Sequence, residues 1–197
     1  GMYEEGIDAI YKIGGSVNVS YDADGGNASK NNEVIRKKAY INNPTTKDGY
    51  TFYGWKMDVY EIDIMSYKAS ITLIANYSPI TYSINYDLKG GSFNIDAPSE
   101  YITTDNVVIP NPQMTGYEFV GWIEDENDVP QKDYSFNDKY GDKNFIAVWT
   151  IATYIISYDV NGGDALDSDV QYVKYKENYK LKTPTRKGYN FAGWYIN

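Results

Sequence analysis

The residues best placed to do chemistry are the carboxylates of a recurring glycine-rich turn. Asp22, Asp24 and Glu33 stand at the first, third and twelfth places of an EF-hand spacing, where a calcium loop wants carboxylates. The fifth place is Gly26 and the sixth Asn27, where that loop needs an oxygen ligand and then glycine. The turn returns twice more and the match weakens each time, with Lys89 at the third place of the second copy and Val170 at the twelfth of the third. A plain turn accounts for these residues better than a cation site, so no metal and no other cofactor is expected. Acid–base chemistry has a second candidate in Asp125 and Glu126, within the run Glu124 to Asp128. Nothing sets two carboxylates across a cleft, and such a run is usually a solvated loop. Cysteine and histidine are both absent, which removes thiol nucleophiles, the usual zinc sites and every His-based triad. No enzymatic activity is expected.

Aromatic side chains are the other chemical resource. There are 22 tyrosines and four tryptophans, and aromatic faces stack on sugars. Small domains also need large aromatics to fill scarce cores. Trp55, Trp122 and Trp194 recur at strand spacing and are read as core, whereas Tyr60, Tyr67, Tyr134 and Tyr140 lie outside any repeated signature and are the candidates for a surface role.

The elements that carry these side chains are organised around one motif, Gly-Tyr-x-Phe-x-Gly-Trp. It occurs as Gly49, Tyr50, Phe52, Gly54, Trp55, then Gly116, Tyr117, Phe119, Gly121, Trp122, then Gly188, Tyr189, Phe191, Gly193, Trp194. Upstream of each copy lies an alternating strand ending in Tyr-Asp and a glycine pair. In it Val17, Val19 and Tyr21 share one face, as do Tyr82, Ile84 and Tyr86, and then Tyr154, Ile156 and Tyr158. A proline precedes each motif, at Pro44, Pro112 and Pro184. The first two copies are followed by apolar runs ending in Ala-x-aromatic, Ile71 to Tyr77 and Phe145 to Trp149, which suit a central strand. Within the motif Phe and Trp are an odd number of residues apart and would face opposite ways in a regular strand. A bulge at Gly54, Gly121 and Gly193 would bring both into one core.

Tyr21 to Tyr86 spans 65 residues and Tyr86 to Tyr158 spans 72, long enough for each unit to be a small domain. The expected organisation is repeat 1 over 17–79, repeat 2 over 80–151, and repeat 3 over 152–197, incomplete because it lacks a closing strand. Residues 1–16 form a leader in which Ala9-Ile10-Tyr11 copies the Ala-x-aromatic ending and reads as an orphan closing strand of a preceding repeat. An orphan strand at one end and an unclosed sheet at the other suggest self-association by strand pairing. Each repeat is expected to be mainly β (α+β at most), with a mixed or antiparallel sheet of about four strands and little helix. Eighteen basic against 27 acidic residues leave a net charge of −9, which disfavours nucleic acid and anionic membranes as partners. No apolar run approaches the length of a membrane helix, and no signal peptide pattern is present.

Tyr-Asp-x-x-Gly-Gly, proline, Gly-Tyr-x-Phe-x-Gly-Trp and Ala-x-Trp/Tyr together resemble the Listeria–Bacteroides repeat, the family of the internalin B-repeats. The resemblance implies β-grasp-like modules in tandem on extracellular, cell-surface bacterial proteins, with no catalytic residues to carry over. Two functions follow as expectations. One is a spacer or structural array in adhesion or surface interaction, its partners the neighbouring repeats. The other is a carbohydrate- or mucin-binding module that meets host or cell-wall glycan or protein through exposed aromatics.

Overall fold

A computed structural model describes residues 2–38 and 40–196, with side chains from residue 7 on. The chain divides into two compact units. One holds the residues up to Ser83 with Ser99–Val107 and Ser135–Asp142; the other holds Ile84–Pro98, Val108–Tyr134 and the residues from Lys143 onward.

The first unit opens with helix α1 (Met2–Lys12) and continues with β1 (Ser16–Asp22), β2 (Asn27–Ala28), β3 (Asn32–Ile35), β4 (Thr45–Thr46), β5 (Tyr50–Asp63) and β6 (Lys68–Pro79). Four of these strands form a mixed sheet in the order β3-β1-β6-β5. The first strand and the closing strand, β1 and β6, run parallel in the centre, and β3 and β5 pair antiparallel at the flanks. The alternation read from β1 holds, with Val17, Val19 and Tyr21 turned inward. They meet Ala69, Ile71 and Leu73 of β6 and Ile10 of α1 in one core. Each fully buried aliphatic side chain there contributes about 1.5–3 kcal/mol relative to exposure.

Strand β7 (Tyr82–Asp87) starts in this unit, where Tyr82 and Ser83 pair with β8 (Glu100–Tyr101). In the second unit its remaining residues run parallel to β10 (Lys143–Ile151), which also pairs antiparallel with β9 (Tyr117–Ile123). The closing strand is thus central again, with Phe145 and Ala147 buried beside Ile84. The third repeat contributes β11 (Thr153–Ser157) and β12 (Val170–Lys174), which pair only with each other among the described residues. Its motif segment is not a strand. With no strand on the other side of β11, Tyr154 stays half exposed and only Tyr158 of its alternating set is buried.

The bulge expected in the motif is present in the two paired copies. Opposite β6 the register slips between Phe52 and Gly54, leaving Tyr53 unmatched, and opposite β10 it slips where Val120 is left out. Gly54, Gly121 and Gly193 all hold positive φ, at 121°, 155° and 137°. The slip turns Phe and Trp the same way, and their rings touch in all three copies, at 5.5, 5.0 and 5.2 Å between centroids.

Residues 9–11, expected to be an orphan closing strand, lie instead within α1. Ile7, Ile10 and Tyr11 fall on one face at helical spacing and pack on the first sheet. Gly14, at φ 77°, then ends the helix, its N–H donating to Tyr11 O at 3.1 Å and that of Gly15 to Ile10 O at 2.9 Å. This is the paired hydrogen bonding of a Schellman stop. The strand-pairing route to self-association therefore lacks its donor strand.

Gly54 and Gly121 allow the bulge to be tested against its surroundings. A Cβ on Gly54 would meet nothing within 4 Å, whereas one on Gly121 would come 2.7 Å from Gln131 N. Gly54→Ala is expected to lower the unfolding free energy by about 1 kcal/mol, the strain of the left-handed side of backbone space. Gly121→Ala should cost clearly more, because the Gln131 backbone must also move. Urea denaturation of the two variants measures the difference.

Candidate functional site

The carboxylates of the turn are occupied by their own backbone. Asp22, Asp87 and Asp159 each accept the N–H of the residue two places on, at 2.9, 3.0 and 2.9 Å. Those third-place residues, Asp24, Lys89 and Asn161, sit at φ 47°, 50° and 45°, so the position recurs as a left-handed turn residue. Glu33 accepts Tyr21 Oη at 3.0 Å and Lys30 Nζ at 2.5 Å, and the lysine holds its carboxyl below the usual range. Asp128 accepts the N–H groups of Glu124 and Asp125 at 3.1 and 2.8 Å, while Asp125 takes that of Asn127 at 3.0 Å. These are loop-closing bonds on an exposed segment. Among the described residues, no group of three or more acidic side chains is arranged to hold a metal ion.

The signature aromatics gather around the tyrosine of each Tyr-Asp pair. Trp55 lies 4.8 Å from Tyr21, Trp122 lies 5.5 Å from Tyr86, and Trp194 lies 4.8 Å from Tyr158, ring centre to ring centre. Trp55 Nε1 donates to Asn43 O at 3.3 Å and Trp194 Nε1 to Lys182 O at 2.8 Å. Trp122 is the most deeply buried of the three, and its Nε1 has no hydrogen-bond partner.

The Ala-x-aromatic ending has a specific task. Tyr77 covers the second glycine of the first turn and its hydroxyl donates to Ala23 O at 2.8 Å; a Cβ on Gly26 would overlap that hydroxyl. Trp149 does the same over Gly91, donating from Nε1 to Leu88 O at 3.0 Å. Tyr77 and Trp149 were read only as strand endings. Their capping role was signalled by the pairing of a glycine doublet with a later Ala-x-aromatic ending in the first two repeats, although backbone carbonyls also crowd the second glycine, as Thr46 O does at Gly26 and Thr185 O at Gly163.

A second arrangement, absent from the sequence reading, joins successive repeats. Gly49 O accepts the N–H of Ile80 at 2.9 Å, and Gly116 O that of Ala152 at 3.0 Å. A Cβ on Gly49 would come 2.9 Å from Thr103 Cγ2, and one on Gly116 would overlap the Tyr175 ring. Tyr117 packs on the same ring at 5.9 Å. Ile80 and Ala152 lie six residues before Tyr86 and Tyr158; Thr103 and Tyr175 lie seventeen after them. The two joints therefore use matching positions.

Of the aromatics read as surface candidates, Tyr67 and Tyr140 are exposed, at 56% and 48%. Tyr60 packs against the first core, and Tyr134 lies edge-on to Phe145 at 4.7 Å with its hydroxyl 3.3 Å from Glu124 Oε2. The third repeat carries a broad cleft of about 920 Å³ between β11 and the motif segment, lined by Tyr179, Tyr189, Phe191, Trp194 and Arg186 among others.

Tyr86 links this packing to pH. Burial among Phe93, Trp122 and Phe145 pushes its phenol up to about 12, and its hydroxyl donates to Pro98 O at 2.7 Å. The fold favours the protonated ring, so its stabilisation is complete below about pH 10, the ordinary tyrosine value, and is lost as pH rises towards 12. Tyr86→Phe is expected to cost about 1 kcal/mol at pH 8, through the unpaired carbonyl, and to flatten the loss of stability between pH 10 and 12. Denaturant melts of both proteins at pH 8, 10 and 11.5 check this.

Comparison with known proteins agrees with the repeat geometry. The Listeria-Bacteroides repeat domain matches three times, over residues 18–76, 82–148 and 154–197. Two proteins of Evansella cellulosilytica are similar to the chain. One, named as a Gly-rich membrane protein, is 26% identical over 184 residues, covering 90% of this chain and 21% of that protein. The other, named as a membrane protein, is 26% identical over 160 residues, covering 77% and 24%. The chain thus spans less than a quarter of the length of these relatives. Among the described residues, no helix is long and apolar enough to cross a membrane. With three matches running almost end to end, the chain belongs to the Listeria-Bacteroides repeat family.

Proposed function

We propose that the chain is a non-catalytic repeat region of a bacterial cell-surface protein, serving as an extracellular spacer that carries other parts of that protein away from the cell. The observation that supports this best is the use made of the signature. Phe52, Trp55, Phe119 and Trp122 are spent on the cores of their own repeats, and Gly49 and Gly116 on the joints to the next. Such residues hold a chain in order and leave little for a ligand. The names of the two relatives add membrane attachment to the parent proteins. Neighbouring repeats are the partners this role requires.

A second reading, binding of carbohydrate or mucin, is favoured by the aromatic cleft of the third repeat. Tyrosine and tryptophan faces beside an arginine suit a sugar ring. Against it, the same space in the first two repeats is filled by β6 and β10, so the cleft is explained by the strand arrangement alone.

Thermal melting in the presence of mucin-type and cell-wall glycans separates the two. The spacer reading expects no shift. A lectin-like site at a ligand concentration a hundredfold above its Kd would stabilise the chain by about 2.7 kcal/mol. A rise in Tm that disappears in Tyr189→Ala would overturn the spacer reading in favour of the second.

A further inference from the structure

The outer edge of the motif strand is closed in the second repeat and open in the first. In the second, Trp122 N–H donates to Gln131 O at 2.9 Å and Gln131 N–H to Trp122 O at 3.0 Å. The two residues form one antiparallel rung beyond β9. Pro130 and Gln131 press close enough that a Cβ on Gly121 would come 2.9 Å from Pro130 C as well as 2.7 Å from Gln131 N. The segment reaches this place because β9 ends at Ile123 and the chain folds back before β10 starts at Lys143.

In the first repeat β5 runs past Trp55 to Asp63 and turns straight into β6, so no segment folds back. Trp55 stands opposite Ala75 as Trp122 stands opposite Ala147. In an antiparallel ladder a residue turns its N–H and C=O to the same side, so the matching register gives Trp55 the same outward pair. Among the described residues, no backbone group outside the sheet bonds to that pair. A Cβ on Gly54 would meet nothing within 4 Å. Beside this edge lies a groove of about 360 Å³, lined by Ile41, Asn43, Pro44, Phe52, Gly54 and Trp55 among others.

We propose that the Gly54–Trp55 edge of β5 takes a short, extended, basic segment of a partner protein, added as an antiparallel strand in the way Gln131 is added to Trp122. The contact within the second repeat supplies the pattern. One residue turns both its N–H and its C=O to the tryptophan, and a proline before it ends the ladder after that rung. Charge selects the flanks. β5 exposes Asp58, Glu61 and Asp63 against Lys56 alone, so lysine or arginine beside the paired residue is favoured. A second copy of β5 is a poor occupant, because it brings the same three carboxylates against their own kind. The register slip between Met57 and Val59 also breaks the edge, which suits a short segment better than a long strand. The proposal does not rest on the spacer reading.

Amide hydrogen exchange followed by NMR on the full chain tests this without altering the protein. In the free chain the Trp122 amide should be protected and the Trp55 amide should exchange at least about tenfold faster. The probe is the peptide Lys-Val-Pro-Gln-Lys-Thr, acetylated and amidated at its ends. At about ten times its Kd it should slow exchange of the Trp55 amide about tenfold, with the Trp122 amide unchanged. The same peptide N-methylated at Gln lacks the donor to Trp55 O and should give no slowing. A version with Glu in place of both Lys should bind at least roughly fivefold more weakly. Equal protection of Trp55 and Trp122 in the free chain would show the edge closed and overturn the proposal. So would a Trp55 amide that millimolar peptide leaves unchanged, or equal slowing by the N-methylated peptide. Equal binding of the Glu version would overturn the basic character given to the partner. Protection of Trp55 that rises with protein concentration alone would give the edge to a second copy and overturn the occupant assigned here.

Discussion

Each complete repeat hangs on the seating of one aromatic ring upon a glycine that has no room for a side chain. Tyr77 on Gly26 and Trp149 on Gly91 bring the end of the first strand against the end of the closing strand, across 54 and 61 residues of chain between the hydrogen-bonded groups. Because first and last strands are parallel neighbours, this contact fixes which residue of one lies beside which residue of the other. The bulge then follows as a necessity. Once the closing strand is set, the motif strand must slip by one residue for both Phe and Trp to reach the core.

The third repeat shows the same parts without that contact. Its turn keeps the Asp159 hydrogen bond and its Trp194 still meets Tyr158, so turn and motif are locally determined. Without a ring over Gly163, Phe191 stays 42% exposed and the motif does not become a strand. Local chemistry shapes the pieces, and the closing strand makes a sheet of them.

This division also explains what was legible in the sequence. The alternation of β1, the central place of β6 and β10, and the bulges at Gly54 and Gly121 follow from residue types a few positions apart and are as expected, whereas the bulge expected at Gly193 does not form because that motif pairs with no strand among the described residues. Helix α1 was misread because three residues, Ala9-Ile10-Tyr11, fit a strand ending as well as a helix face. Ile7 at helical spacing and the Gly14-Gly15 stop were the deciding signals. The facing side of the joints left no residue-type signal, since the position against Gly49 is Thr103 and that against Gly116 is Tyr175. Only the offset from Tyr-Asp is constant, because the glycine needs a neighbour at that place and not one of a given kind. The surface tyrosines divided for a similar reason. Tyr60 and Tyr67 lie near the far end of the β5–β6 hairpin, where the Tyr60 ring turns onto the core and the Tyr67 ring, on the turn itself, does not.

The parallel pairing of the first and closing strands has a mechanical meaning. Tension along the chain enters a repeat at the start of its first strand and leaves at the end of its closing strand, so it pulls the two past each other instead of peeling them apart. All rungs between them then share the load. β1 and β6 are matched over seven residues, whereas β7 and β10 are matched over four. Of these two repeats, the second is expected to yield to stretching before the first.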